Sequence, residues 1–410
     1  MLNIIWSGFF ITAFIFASWQ FVCAGQTQIW NELTNAAFAS SRNAFEISLN
    51  LTGMMCLWLG LLKIAERAGL TALLAKALQP LFGKIMPEVP SDSPALGSMV
   101  MNMAANVLGL DNAATPMGIK AMEQLQTLNP HPQKASRAQI LFMVINTSAV
   151  TLIPVSILMY RQQFGSLNPA QVFLPILMAT SVSTLVGFLS VAVAERLPIF
   201  NKTVLAYLMF FVAFIVGTAW LFDSLPPDKR IETASAVGNF VLFAVMVIFI
   251  VAGLCRRVNV YEAFINGAKE GFDTAVRIIP YMVSMLVGIA VFRASGVLDG
   301  ILRGMEYLIT SIGLNADFVP ALPTALLKPL SGSGARAMML ETFQTYGVDS
   351  FAGFVSSLIQ GSTETTFYVL AVYFGAVRVS KTGSALPCAL LADLAGITAA
   401  IVLGYLFFAA

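Results

Sequence analysis

The sequence predicts an all-α polytopic membrane protein with about nine transmembrane helices. They form two inverted repeats, each with a re-entrant helical hairpin. Three observations predict this. The chain has 410 residues, 58% of them hydrophobic and 11% charged, where a soluble domain carries roughly 25% charged residues. Its apolar runs are long and do not alternate, which favours helices over a barrel. The order of its elements also occurs twice.

Span one is 4–22. The apolar stretch 2–24 has no basic flank and exceeds a secretion signal's apolar core, so it reads as a retained span. An amphipathic segment, 28–46, is expected along the interface with Trp30 as an aromatic anchor. Span two is 47–62, stopped by Lys63, Glu66 and Arg67. Leucines at helical spacing make 70–86 a surface helix. After a turn cluster at 87–94 comes an apolar arm interrupted by Asn102 and Asn106. A polar tip with Asp111 and Asn112 follows, then an arm leading out to 128. That pattern fits a hairpin entering and leaving on one side better than a crossing.

Spans three (138–160), four (169–194) and five (204–222) follow. A charged link at 223–232 precedes span six, 234–255. Segment 258–272 is amphipathic, span seven is 275–292, and 297–312 is amphipathic again. A second hairpin, 318–346, carries Pro320, Pro323 and Pro329 and the tip Ser331-Gly-Ser-Gly-Ala-Arg336. Span eight is 351–377 and span nine is 386–408.

Each half therefore reads span, amphipathic helix, span, amphipathic helix, polar-tipped hairpin, span, span. Local matches are in register: Arg67-Ala-Gly-Leu70 with Ala294-Ser-Gly-Val297, Ile145-Asn-Thr-Ser-Ala-Val-Thr151 with Ile359-Gln-Gly-Ser-Thr-Glu-Thr365, and Gly187 with Gly404. Four crossings return each half to its starting face, and span five adds one. The second half then starts on the opposite face, so the repeats are inverted, as in many secondary transporters. Fifteen of the 23 Lys and Arg residues fall on the face holding the N-terminus. The expected location is the cytoplasmic (inner) membrane, N-terminus cytoplasmic and C-terminus outside.

The motif Asn106-Val-Leu-Gly-Leu-Asp-Asn-Ala-Ala-Thr-Pro-Met-Gly118 resembles the spore maturation protein A family. Pro329-Leu-Ser-Gly-Ser-Gly-Ala-Arg336 and Gly361-Ser-Thr-Glu-Thr-Thr-Phe-Tyr368 resemble spore maturation protein B. The chain looks like a fusion of the two, within the wider group that bears a nucleoside-recognition or gate domain. The resemblance implies an A-like gate repeat over 1–197, a linking helix over 198–231 and a B-like gate repeat over 232–410. It also implies a transport-like fold. Nucleoside carriers of this group use an Asn-Glu pair in a broken helix; here Thr363 precedes Glu364.

The most informative stretch is Ile359-Gln-Gly-Ser-Thr-Glu-Thr-Thr366, a polar interruption of span eight. A carboxylate at membrane depth faces a partner or a watery cavity and marks a site; the competing reading is a polar clamp between helices. Glu364 and, in span nine, Asp393 are the candidate ion-coupling residues, with snorkelling or capping as the alternative for Asp393. Candidate substrate-binding residues are Asn106, Asp111, Asn112, Thr115, Asn146, Thr147, Ser148, Ser331, Ser333, Arg336, Gln360, Ser362 and Thr363. The tip Ser331-Gly-Ser-Gly334 with Arg336 suits an anion at a helix N-terminus, or its serines only cap that helix. Asp111 is read either as a polar ligand or as a cap.

Other classes are set aside. Net charge +2 and the lack of a basic, aromatic-interleaved patch argue against nucleic acid. Cys23, Cys56, Cys255 and Cys388 stand singly, and His131 is the sole histidine, so no metal spacing exists. No P-loop and no nucleophile–base motif appear, so no enzyme activity and no cofactor are expected. The expected function is a secondary transporter of a small polar solute, nucleoside-like or a small organic anion, held between the hairpins. The alternative is a non-transporting scaffold or gate that acts with a partner. The expected partners are the solute and the lipid bilayer; a homo-oligomer is left open.

Overall fold

The structure is a computed structural model. It describes residues 2–90, 92–108, 111–148 and 150–408, without the side chains of 2–3, 111–113 and 227–228. Its helices, in chain order, are α1 (Leu2–Ala24), α2 (Ile29–Arg67), α3 (Leu70–Ile85), α4 (Pro94–Leu108), α5 (Asp111–Thr127), α6 (Arg137–Thr147), α7 (Val155–Gln163), α8 (Phe173–Ala194) and α9 (Lys202–Asp223). Then come α10 (Pro227–Cys255), α11 (Val260–Ala294), α12 (Val297–Ser311), α13 (Leu322–Leu327), α14 (Gly332–Tyr346), α15 (Phe351–Ser362), α16 (Thr366–Ala376) and α17 (Ala385–Phe408).

Among the described residues, seven helices are long and apolar enough to cross a membrane. Two broken helices, α6–α7 and α15–α16, coincide with the expected spans three and eight. The hairpins expected at 95–128 and 318–346 are α4–α5 and α13–α14. The protein is an all-α, polytopic membrane protein.

Two boundaries differ from expectation. Segments 28–46 and 47–62 were expected as separate elements but form one helix, α2, of 39 residues. Segments 258–272 and 275–292 likewise form α11, of 35 residues. At 1.5 Å per residue these run about 58 and 52 Å, well past a hydrocarbon core of about 30 Å. The physical reason lies at the junctions: neither Ala44-Phe45-Glu46-Ile47 nor Phe272-Asp273-Thr274-Ala275 holds a glycine or proline, and Pro280 sits inside α11 without ending it. The glycines of α11 serve packing instead. A Cβ on Gly267 would strike the carbonyl of Leu59, and one on Gly271 would lie 2.7 Å from that of Met55.

These contacts also fix direction. Gly60, Leu59 and Met55 of α2 meet Phe264, Gly267 and Gly271 of α11 in that order, so the two equivalent helices run antiparallel. The last spans do the same: Gly187 and Ser183 of α8 meet Ala392 and Gly396 of α17. Equivalent helices running oppositely make the repeats inverted. The cross-contacts are reciprocal: α1 packs on α11 and α10 on α2, while α6 packs on α17 and α15 on α8. Such exchange is what a two-fold relation requires.

The repeat match at Gly69 and Gly296 has a shared cause. Each long helix ends two residues earlier, at Arg67 and Ala294, and the glycine turns left-handed at φ 76° and 81°. Each glycine N–H closes the last turn, on Glu66 and Arg293 respectively. A left-handed residue there suits glycine and starts the next amphipathic helix in a new direction.

Candidate functional site

The two breaks form for different local reasons. Helix α6 opens on a capping box between Ser136 and Gln139. It ends at Thr147, where the hydroxyls of Thr147 and Ser148 both donate back to the carbonyl of Val144. Pro154 then forbids a continuous helix, and α7 restarts behind it. Helix α15 starts on a Ser350 cap and ends at Ser362, whose hydroxyl donates to the carbonyl of Ile359 at 2.9 Å. Thr363 is extended (φ −147°, ψ 173°), and α16 begins at Thr366. No proline breaks this one; Gly361 and the threonine-rich run do.

The breaks meet. The backbone N–H of Glu364 donates to the carbonyl of Thr147 at 2.8 Å. Arm α6 lies against α16, where Phe142 stacks on Tyr373, and α7 lies against α15, where Ile157 approaches Gly361. Each hairpin is tied to the break of its own half by one backbone bond. Leu152 N–H donates to Val107 at 2.9 Å, and Phe367 N–H donates to Pro329 at 3.0 Å. Two broken helices and two hairpins thus converge on one crossing.

In the first half the crossing carries an amide and phenol network. Asn106 Nδ2 donates to Asn146 Oδ1 at 2.9 Å, and Asn146 Nδ2 donates to the carbonyl of Phe142 at 2.8 Å. Tyr373 reaches over from the other half: its hydroxyl donates to Asn146 Oδ1 at 3.4 Å and accepts from Asn102 Nδ2 at 3.3 Å. Gly118 leaves room for that hydroxyl, which a Cβ there would hit. Thr115 is half-buried on α5. The side chains of Asp111 and Asn112 lie outside the described residues.

In the second half the hairpin tip closes on itself. Ser331 Oγ accepts from the Gly334 N–H at 3.0 Å, so it caps α14, and Ser333 Oγ lies 3.3 Å from it. The backbone at Gly332 touches Thr365, where a Cβ would fall 2.6 Å from Oγ1. The Arg336 guanidinium lies 5.7 Å from the ring centroid of Tyr160, on α7 of the first half. Tyr160 and Tyr373 are thus counterparts: each sits on the second arm of a broken helix and reaches the opposite half's hairpin.

Ser362, Thr363, Thr365 and Thr366 are buried, whereas Glu364 between them is exposed. Asp393 is 2% exposed. Its Oδ2 accepts from Thr366 Oγ1 at 2.7 Å, so the side chain points into the break and does not snorkel. Gln360 is buried with Oε1 unpartnered.

Several residues at the crossing escaped the sequence reading. Tyr373 lies inside an apolar span, with partners more than 200 residues away, and Thr366, though part of the polar stretch, had no role assigned to it. Arg161 is wholly buried, donating to Asp349 Oδ1 at 2.7 Å, to the carbonyl of Val348 at 3.0 Å and to Ser357 Oγ at 3.1 Å. It joins the end of α7 to the start of α15. A charge at the end of span three reads as a simple flank, and no local signal names its partner.

Known proteins bear on this arrangement. The family model described as "Gate: Nucleoside recognition" matches residues 48–166 and 275–379. Each stretch runs from within a long helix, α2 or α11, through the amphipathic helix and hairpin to the broken helix. Spore maturation protein B of Bacillus subtilis (strain 168) is 48% identical over 156 residues, 38% of this chain and 86% of that protein. Spore maturation protein A of the same organism is 40% identical over 183 residues, 45% of this chain and 90% of that protein. No solved structure matches. Each relative covers part of the chain, which is a fusion of an A-like and a B-like part. By the family model's two matched stretches, the chain belongs to the gate, or nucleoside-recognition, family.

Proposed function

We propose that the protein is a secondary transporter, ion-coupled or facilitative, of a small polar solute. The solute is nucleoside-like or a small organic anion, held near the bilayer midplane between the hairpins. One observation carries this reading: Glu364 is exposed at the crossing of two broken helices while its neighbours are buried. A carboxylate on a span belongs in water or against a partner, so its exposure speaks for a wet cavity. Inverted repeats with paired broken helices are a transporter arrangement. The amides of Asn106, Asn146 and Gln360 suit a solute that both donates and accepts hydrogen bonds.

Asn106, Thr115, Asn146, Gln360 and Thr363 line the solute path in this reading. Thr147, Ser148, Ser331 and Ser362 hold the breaks and the tip open. Glu364 couples the solute to an ion. No covalent chemistry is assigned to any residue. The membrane is the cytoplasmic one, with the N-terminus inside and the C-terminus outside. Uptake and counterflow in proteoliposomes, against a panel of nucleosides and small organic anions, test the proposal. Saturable flux lost in Glu364→Gln supports it; absence of flux for every solute removes it.

A second reading is a non-transporting gate that works with a partner protein. The names of the two relatives, which speak of spore maturation and not of a solute, favour it. A stable co-purifying partner with no solute flux would select it.

A further inference from the structure

We propose that the cavity between α3 and α9 binds one acyl chain of an anionic phospholipid, whose phosphate sits on Lys84 and Lys202. The proposal is independent of the transporter reading above, because the walls of this cavity are hydrocarbon and suit no polar solute.

The walls decide the chemistry. The cavity holds about 120 Å³ and lies among α3, α4, α8 and α9. Leu81 and Phe82 line it from α3, Leu208 and Phe211 from α9. Two hydroxyls border it, and both are engaged: Tyr207 donates to the carbonyl of Ala77, and Thr184 to that of Ser148. Water needs two to four polar partners to stay in a cavity, whereas an apolar cavity of about 150 Å³ stays dry and takes up an apolar guest. A partner helix, about 10 Å across with its side chains, is too wide for it. From Val204 to Phe211 the cavity follows α9 over about 10 Å, a course that suits an extended chain. Helix α9 is buried only at Val204 and Phe222 among its described residues, so the cavity borders the bilayer that supplies such chains.

Charge names the headgroup. Ile85 and Val204 line the cavity. Lys84 precedes the one and Lys202 stands two residues before the other, both exposed. They lie at the same end of the protein: Glu88 and Val89, just past Lys84, share a pocket with Glu195, just before Lys202. The two acids line that second pocket with His131, Lys134 and Arg137, whose charges offset theirs. Two ammonium groups at the end of an apolar cavity match a phosphate carried on an acyl chain. Each basic residue near an anionic headgroup is worth about 5-fold in affinity. The cavity also reaches Val107, Ile145 and Val150. Val107 accepts the Leu152 N–H that ties the first hairpin to its break. The tip of the chain therefore packs behind that hairpin and break, and its binding stabilises the first half.

The test is thermal unfolding of the delipidated full chain in detergent, titrated with phosphatidylglycerol. Phosphatidylcholine and oleate are separate arms. The expected result is a saturable rise in Tm, with phosphatidylglycerol preferred over phosphatidylcholine by ~10-fold or more in half-saturating concentration. Lys84→Gln combined with Lys202→Gln removes that preference and keeps the response to phosphatidylcholine. Lys269→Gln, an exposed lysine on α11, changes neither. Leu208→Trp fills the cavity and abolishes the saturable response to both phospholipids. If that variant fails to fold, Leu81→Phe, from the α3 wall, decides in its place. Four results overturn the proposal. A saturable response that survives the filled cavity places the lipid elsewhere on the surface. Equal responses to the two phospholipids remove the phosphate from the lysines. A response to oleate alone assigns the cavity to a free fatty acid. No response in any arm leaves the cavity without a lipid.

Discussion

The N–H of Glu364 donates to the carbonyl of Thr147 across 2.8 Å, joining residues from opposite halves of the chain. Each lies where a helix stops. Neither group has a helical partner available, so each serves the other. The bond uses the backbone of Glu364 and leaves its carboxylate exposed.

Glu364→Gln is therefore expected to spare the fold and remove the function. An exposed substitution away from packed or paired groups shifts stability by about ±0.5 kcal/mol. Thermal unfolding of the variant should match the parent, while uptake in proteoliposomes falls to background. A fall in both would give Glu364 a structural role instead.

Gly267→Ala tests the contact between the two long helices. Its Cβ would strike the carbonyl of Leu59, a backbone atom that cannot swing aside. The helices must part, and overpacking of this kind costs about 1–3 kcal/mol. Gly217 on α9, with nothing within 4 Å, is the control: Gly217→Ala should leave the unfolding midpoint in place or raise it.

Arg161 and Asp349 should respond unequally to truncation. Arg161 has a wholly buried side chain, while that of Asp349 is 33% exposed. Asp349→Ala strands a buried guanidinium and should cost about 3–5 kcal/mol. Arg161→Met leaves a carboxylate that still accepts from Leu167 N–H and Ser166 Oγ and reaches solvent, so it should cost less. Denaturation of both variants checks the order, and equal losses would contradict it.

Tyr373→Phe should loosen the first-half network without emptying its space. It removes the hydroxyl that bridges Asn102 and Asn146 and keeps the ring stacked on Phe142. The expected loss is about 0.5–1.5 kcal/mol, with a larger change in KM than in maximal flux. Gly118→Ala, which pushes the same hydroxyl aside, should produce the same pattern. A variant that lowers maximal flux alone would place Tyr373 outside the solute path.

Much of this architecture was legible in the residues. Long apolar runs named the spans, and polar interruptions at Asn106 and Glu364 named a hairpin arm and a break. The paired Gly69 and Gly296 marked the repeat because one backbone need recurs in both halves. The continuity of α2 and α11 was not legible, since an amphipathic segment joined to an apolar one looks like two elements when no breaker intervenes. The capping role of Ser331 was one of two readings, and the Gly334 bond selects it. Pairings such as Tyr373 with Asn146 or Arg161 with Asp349 span more than half of either repeat's length and leave no periodic trace. Only the antiparallel meeting of the two halves creates them.

The central claim is that water reaches Glu364 at the crossing of the two broken helices. The direct measurement is labelling by a membrane-impermeant thiol reagent in a chain whose four native cysteines are replaced by serine. Glu364→Cys should react at a rate near that of His131→Cys, on an exposed loop, whereas Ile359→Cys, at a buried position, stays inert. A Glu364→Cys chain as unreactive as Ile359→Cys would contradict the account.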